Sequence, residues 1–260
     1  MNLRIFKEKV NVFRHKFRFQ SAGGSGYISP ERYAEFVFAF HHLRSIPPTS
    51  LVLDVGSFHS LLPTWLASEV KCNVICLDPW EAFIKQKEFA LKMGIEKKLE
   101  CVLGDGRNLP FHGKVFNVVT CISTIEHIEG QGDILLFSEM IRILAKNGLL
   151  LLTFPFRIPY MEHFVKEPIY RKEEKEVLHF SSRDYDLDTI KRRFLYRKEV
   201  KEVEFKVFQI KPELNVFKSR LFPLRSLSEL ISGLLCTETD ITSIRRYSRH
   251  VGCLLLRKCL

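Results

Sequence analysis

The chain has 260 residues, 46% hydrophobic and 27% charged, and its 40 Lys+Arg against 30 Asp+Glu give a formal net charge of +10. That length buries an ample core as one large domain, or as one domain with an appended element. No run reaches the roughly 18 uninterrupted apolar residues that span a bilayer. The start Met1-Asn2-Leu3-Arg4-Ile5-Phe6-Lys7 is broken by charges and lacks the apolar middle of a signal peptide, so the expected location is cytoplasmic.

Seven cysteines (Cys72, Cys76, Cys101, Cys121, Cys236, Cys253 and Cys259) form no CxxC pair. They read as reduced thiols acting as small hydrophobes, with no metal site. The positive charge is uneven. Residues 1–20 carry Arg4, Lys7, Lys9, Arg14, Lys16 and Arg18 against the single acid Glu8, with Phe6, Phe13, Phe17 and Phe19 interleaved. Such a segment either packs its phenylalanines on the domain or lies on an anionic membrane or a phosphate backbone.

Ser21-Ala22-Gly23-Gly24-Ser25-Gly26 breaks the chain after this basic segment. Ser29-Pro30 then opens a helix to about Leu43, with Ser29 as cap and Pro30 in the first turn. Beyond Pro47-Pro48, apolar runs predict strands at about 51–55, 73–77, 99–103, 115–121 and 148–154. Helices are expected at about 60–70, 81–93 and 133–145, the last closed by Asn147-Gly148. This alternation argues for βαβ units and a parallel sheet. Residues 156–182 are too long for a plain crossover and read as a substrate lid. Helices near 184–194 and 224–235 and strands near 200–210 and 250–257 complete the pattern.

The stretch Leu51-Val52-Leu53-Asp54-Val55-Gly56-Ser57 reads as a buried strand turning on glycine at the sheet edge where open α/β folds bind ligands. The next strand ends in Asp78, placed to accept hydrogen bonds from ribose hydroxyls. An acid at Asp54 repels a diphosphate but not a cationic ligand. Gly56-Ser57-Phe58-His59-Ser60-Leu61 also lacks the Gly-x-Gly-x-x-Gly of NAD-dependent oxidoreductases.

Three further motifs follow in order. They are Leu103-Gly104-Asp105-Gly106 through Pro110-Phe111, Ser123-Thr124-Ile125-Glu126-His127-Ile128, and Glu139-Met140-Ile141-Arg142 through Leu150 with Thr153-Phe154-Pro155. The ordered set resembles the class I S-adenosylmethionine-dependent methyltransferases, in the small-molecule, lipid and sugar group with a type 11-like domain. The resemblance covers residues 50–156 in detail and 25–210 loosely.

It implies an α/β fold with a doubly wound, mostly parallel, seven-stranded Rossmann-like sheet and an antiparallel edge. Residues 1–24 would form the basic segment and its break, and 25–260 the methyltransferase domain. The cofactor would be S-adenosylmethionine. Asp54, Gly56 and Ser57 would hold its amino-acid end, and Asp78 its ribose. Pro79 and Trp80 would lie against the adenine, and Asp105 and Gly106 at the adenine amino group. Cys121 and Ser123 would line the floor near the sulfonium. Glu126 and His127 would be catalytic, and Tyr27, His179 and Tyr185 would face the substrate. The acceptor would be a small, lipid-linked or saccharide-linked molecule, methylated on oxygen.

Phe58 and Ser60 depart from the family's glycine-rich turn, so the turn is either a variant or a weakened site. Asn117 also replaces a usual acid. Cys121 lacks the Pro-Cys context of enzymes that methylate pyrimidine carbon-5, and the Asn/Asp-Pro-Pro-aromatic signature of exocyclic amino methylation is absent. A nucleic-acid methyltransferase using the basic N-terminus and a non-catalytic scaffold are the rival readings.

Overall fold

Successive residues of the central strands bury on opposite sides, and this alternation gives the sheet two apolar faces, each needing a cover. The computed structural model describes residues 3–24, 28–166, 178–209, 236–244, 246 and 248–260. Tyr27, the middle of the expected lid and the expected helix at 224–235 lie outside the described residues.

Five parallel strands occur in chain order: β1 (Leu51–Val55), β2 (Asn73–Asp78), β3 (Leu99–Leu103), β4 (Phe116–Ile122) and β5 (Leu144–Phe156). Val52, Val74, Cys76 and Val118 join one core with α1 (Leu3–Ser21), α2 (Pro30–Leu43), α3 (Leu62–Trp65) and α4 (Lys85–Met93). Leu53, Val55, Val119 and Cys121 face the other core, under α5 (Gly132–Ile143) and α6 (Leu187–Ile190). Ser29 caps α2 as its sequence implies, accepting from Arg32 N with Pro30 in the first turn.

After β5 the chain forms a small antiparallel pair, β6 (Met161–Val165) with β7 (His179–Asp184). It then returns to the main sheet as β8 (Val200–Gln209), β9 (Thr237–Thr239) and β10 (His250–Lys258). The order is β3-β2-β1-β4-β5-β10-β8-β9, with the last three pairings antiparallel. The sheet therefore has eight strands where seven were expected. The extra one is β9, whose three polar-edged residues are too short to show a period of two. The last strand, β10, lies between β5 and β8, because both of its faces are apolar and need cover.

Two boundaries differ from the sequence reading. The α5 helix ends at Ile143 and passes directly into β5. Asn147-Gly148 thus lies inside β5, at a register irregularity opposite Phe116–Val118, and does not cap the helix. Asn147 is left-handed (φ 62°), and a Cβ on Gly148 would lie 2.9 Å from the carbonyl oxygens of Ala145 and Asn117. The helix expected from 184 begins only at Leu187, because Asp184 still belongs to β7 and Asp186 is the cap, accepting from Thr189 N.

The C-terminal strand also finishes α5. Lys258 is buried, and its Nζ donates to Ile141 O at 2.8 Å and Leu144 O at 2.6 Å, placing a cation at the helix C-terminus. Lys258→Met is expected to lower unfolding free energy by about 2 kcal/mol, read from urea denaturation midpoints at unchanged m-value.

Candidate functional site

Three parallel strands deliver acids to one edge of the sheet. Asp54 is buried in β1 and accepts from Thr120 Oγ1 of β4 at 2.5 Å. Burial pushes its pKa from 3.8 up to about 6. Gly56 follows in the left-handed region (φ 74°), and a Cβ there would come within 2.1 Å of Thr124 Oγ1. Ser57 is buried, and its hydroxyl donates to Asp54 O at 2.7 Å.

At the end of β2 the Asp78 carboxylate is only 3% exposed. One oxygen accepts from Phe58 N at 3.1 Å and the other from Trp80 N at 3.0 Å. Desolvation raises its pKa. Pro79 and Trp80 are exposed beside it. Asp105, after β3, is exposed and held by Arg107, whose Nη2 donates at 2.6 Å, and this bond depresses its pKa. Gly106 is buried under Leu136, whose Cδ1 a Cβ would meet at 2.7 Å.

The turn after β1 departs locally from a glycine-rich one. Phe58 takes a glycine-like backbone (φ 22°) and points outward, 43% exposed and stacked on His59 at 4.2 Å. Gln86 of α4 supports the turn, its Nε2 donating to Phe58 O at 3.1 Å and Ser60 O at 2.7 Å.

A cavity of about 170 Å3 opens at the ends of β4, β5 and β10. Ser29, Glu31, Arg32 and Glu35 come from α2 and its cap, Ser123 and Glu126 follow β4, and Pro155, Arg249, His250 and Val251 close the other side. Ser123 is left-handed (φ 41°), and its hydroxyl donates to Glu35 Oε1. Arg32 Nη1 donates to Glu35 Oε2 at 3.2 Å and to Ile122 O at 2.9 Å. Burial raises the pKa of Glu35 against these partners.

Glu126 is 2% exposed, and its Oε2 has no hydrogen-bond partner among the described residues. Burial lifts its pKa from 4.5 to about 7, against the pull of His127. His127 Nδ1 donates to Ser181 O of β7 at 2.8 Å, while its Nε2 lies 3.8 Å from Glu126 Oε1. Arg249 Nε meets Asp184 Oδ1 at 3.2 Å, so the β6–β7 pair is tied to the cavity wall.

Not every residue singled out in the sequence reaches the cavity. Cys121 is fully buried on the opposite face of the sheet, with its thiol pKa pushed up by burial. His179 starts β7 opposite Val165 and does not line the cavity. Tyr185 is fully buried, and its hydroxyl donates to Asp133 Oδ2 at 2.9 Å. Arg183 and Arg193 bind the same carboxylate at 3.2 and 2.7 Å, making a core network.

Residues 53–152 match the model of a family described as a methyltransferase domain. The matched segment runs from β1 into β5, and across it the chain is similar to methyltransferase domains. Norajmaline N-methyltransferase of Rauvolfia serpentina is 33% identical over 79 residues, which is 30% of this chain and 26% of that protein. Two solved structures share the fold. Geranyl diphosphate C-methyltransferase from Streptomyces coelicolor A3(2) superposes with a TM-score of 0.57 at 13% identity, over 85% of this chain and 78% of that one. Coclaurine N-methyltransferase gives 0.58 at 14%, over 88% and 71%.

Around the site, Arg32, Glu35, Gln86, Thr124, Arg249 and His250 were not singled out from the sequence. Arg32 and Glu35 left a readable trace: two charges three residues apart on a helix whose other residues, Ala34 and Phe36 to Phe40, are core. The contacts of Gln86 and Arg249 are tertiary and left none.

Two measurements test this geometry. In the folded state Glu126 keeps its proton up to about pH 7, while the unfolded chain loses it near 4.5. Its contribution to stability is therefore present below about 4.5 and lost as pH rises through 7. Glu126→Gln is thus expected to gain melting temperature relative to the native chain between pH 5 and pH 8. Tyr185→Phe is expected to cost about 1 kcal/mol in denaturant unfolding without changing S-adenosylhomocysteine affinity, as befits a core hydroxyl.

Proposed function

We propose that this chain transfers a methyl group from S-adenosylmethionine to a small-molecule acceptor whose nucleophilic atom must lose a proton, with Glu126 as the base. One observation carries this reading: a buried carboxyl with an unpartnered oxygen, titrating near neutrality, lines a cavity beside the cofactor edge of the fold. A base with a pKa near the working pH is the efficient one. Near pH 7 an appreciable fraction of Glu126 is ionised, and burial makes that charge eager for a proton.

The residues present suit the cofactor. Each Asp78 oxygen accepts one backbone N–H, and its remaining lone pair is suited to a ribose diol. Gly56 keeps its peptide free of a side chain, and Asp54, with Ser57, suits a cationic amino-acid end. Trp80 and Gly106 would flank the adenine. The exposed Arg107 partner of Asp105 would exchange for the adenine amino group at little cost, since surface ion pairs are weak. The cofactor supplies an electrophilic methyl on a sulfonium. The chain's own part is alignment of the acceptor and removal of its proton. The bond from His127 to Ser181 O holds the imidazole beside Glu126.

Glu31, Glu35 and Glu126 in one lining favour an acceptor that arrives as a protonated amine, and the norajmaline relative is by name an N-methyltransferase. Arg32 and Arg249 in the same lining favour a second reading, an acidic oxygen such as a phenol, in line with the oxygen acceptor expected from the sequence.

Calorimetric titration with S-adenosylhomocysteine is expected to show binding that Asp78→Ala abolishes. Absence of binding by folded protein would leave the scaffold reading in its place. With labelled cofactor and a panel of secondary amines and phenols, Glu126→Gln is expected to lower turnover about 10²–10⁴-fold with S-adenosylhomocysteine affinity unchanged. Full turnover in that variant would remove Glu126 from the base role.

A further inference from the structure

The α1 helix is mounted with its polar side inward. Glu8, Lys9, His15 and Lys16 are buried together with Val12 and Phe19. Glu8 pairs with Arg44, Lys9 Nζ donates to Cys236 O at 3.0 Å, and His15 Nε2 meets Thr64 Oγ1 at 3.0 Å. The opposite side carries Phe6, Val10 and Phe17, exposed by 38%, 44% and 37%. With the half-buried Phe13, whose ring packs edge-on against Phe17 at 4.8 Å, they stand at i, i+4, i+7 and i+11, one straight stripe on a helix. Lys7, Arg14 and Arg18 form a second exposed row beside it. The one acid of the helix, Glu8, is buried on the inner side.

A helix docked only to complete a core would bury its phenylalanines and leave its charges in water. Here the core takes Glu8 and Lys9 with specific partners, buries Lys16 beside them, and leaves an apolar stripe with a cationic margin outside. We propose that this outer face of α1 seats the protein on an anionic lipid surface. Phe6, Val10 and Phe17 would enter the headgroup boundary, and Lys7, Arg14 and Arg18 would meet the anionic headgroups. The ion pairs of Arg14 and Arg18 with Glu69 are solvent-exposed and weak, so they do not withhold these cations. The net charge of +10 favours approach to such a surface. A lipid fits better than a nucleic acid, because phosphate-backbone binding draws on the cations and gives Val10 nothing to enter.

The test is co-sedimentation of the full chain with phosphatidylcholine vesicles, with and without phosphatidylserine. Binding is expected only to the anionic vesicles, to weaken with salt, and to fall at least about tenfold in the triple variant F6S/V10S/F17S. Those side chains are exposed, so the variant is expected to melt and bind S-adenosylhomocysteine like the native chain. That titration also separates failure here from failure of the methyl-transfer reading. No pelleting of folded protein, or equal pelleting of the triple variant, would overturn the proposal. So would binding of an RNA oligonucleotide without vesicle binding.

Discussion

Four carboxyls, Glu35, Asp54, Asp78 and Glu126, are withdrawn from water at one edge of the sheet. Removing a carboxylate from water costs several kcal/mol unless hydrogen bonds or cations replace the lost hydration. The surrounding structure answers that demand. Backbone N–H groups of the turns after β1 and β2 meet Asp78, Thr120 meets Asp54, and Ser123 and Arg32 meet Glu35. Among the described residues Glu126 Oε2 keeps no hydrogen-bond partner, and burial lifts the pKa of that carboxyl to about 7. The same compensation that makes the edge stable therefore selects which of its carboxyl oxygens are met and which is not.

That selection depends on strand order. The parallel half, β3-β2-β1-β4-β5, brings the ends of β1, β2 and β3 into a row and supplies Asp54, Asp78 and Asp105. The antiparallel insertion of β10 beside β5 brings His250 and the preceding Arg249 to the end of β5, opposite α2. The β6–β7 pair is joined to the same place through Asp184 and through the Ser181 carbonyl that holds His127. The row of acids thus comes from the parallel half of the sheet, and the cavity from the ends of β4 and β5 together with β10. Thr124 links them, packing its side chain against Gly56 and donating to Ile122 O.

The departure from a glycine-rich turn has a local physical solution. Phe58 occupies a backbone region that glycine enters freely, and its ring is exposed and stacked on His59. Gln86 supplies from α4 the rigidity that a tighter turn would hold in its own backbone. Polar compensation inside α1 follows the same logic. Glu8 meets Arg44 and Lys9 meets the Cys236 carbonyl, and these contacts commit one side of the helix and release the other.

Much of the framework was legible from residue order alone. Continuous aliphatic runs ending in acids marked β1 and β2, and Ser29-Pro30 marked the start of α2, because strand burial and helix capping are local. The carboxylates Asp54 and Asp78 and the Glu126-His127 pair could be found the same way. What escaped depends on contacts between distant segments. The eighth strand is three polar residues without a period, Asn147-Gly148 looked like a helix cap and is a strand irregularity, and Tyr185 looked like a substrate contact and is bound to Asp133 in the core. The amino-acid sequence by itself determined the order of the βα units and the acids at their ends, since both follow from short-range patterning. Only the tertiary structure decided which charges are buried, which partners neutralise them, and which face of α1 looks outward, because desolvation is set by neighbours the chain brings together from far apart.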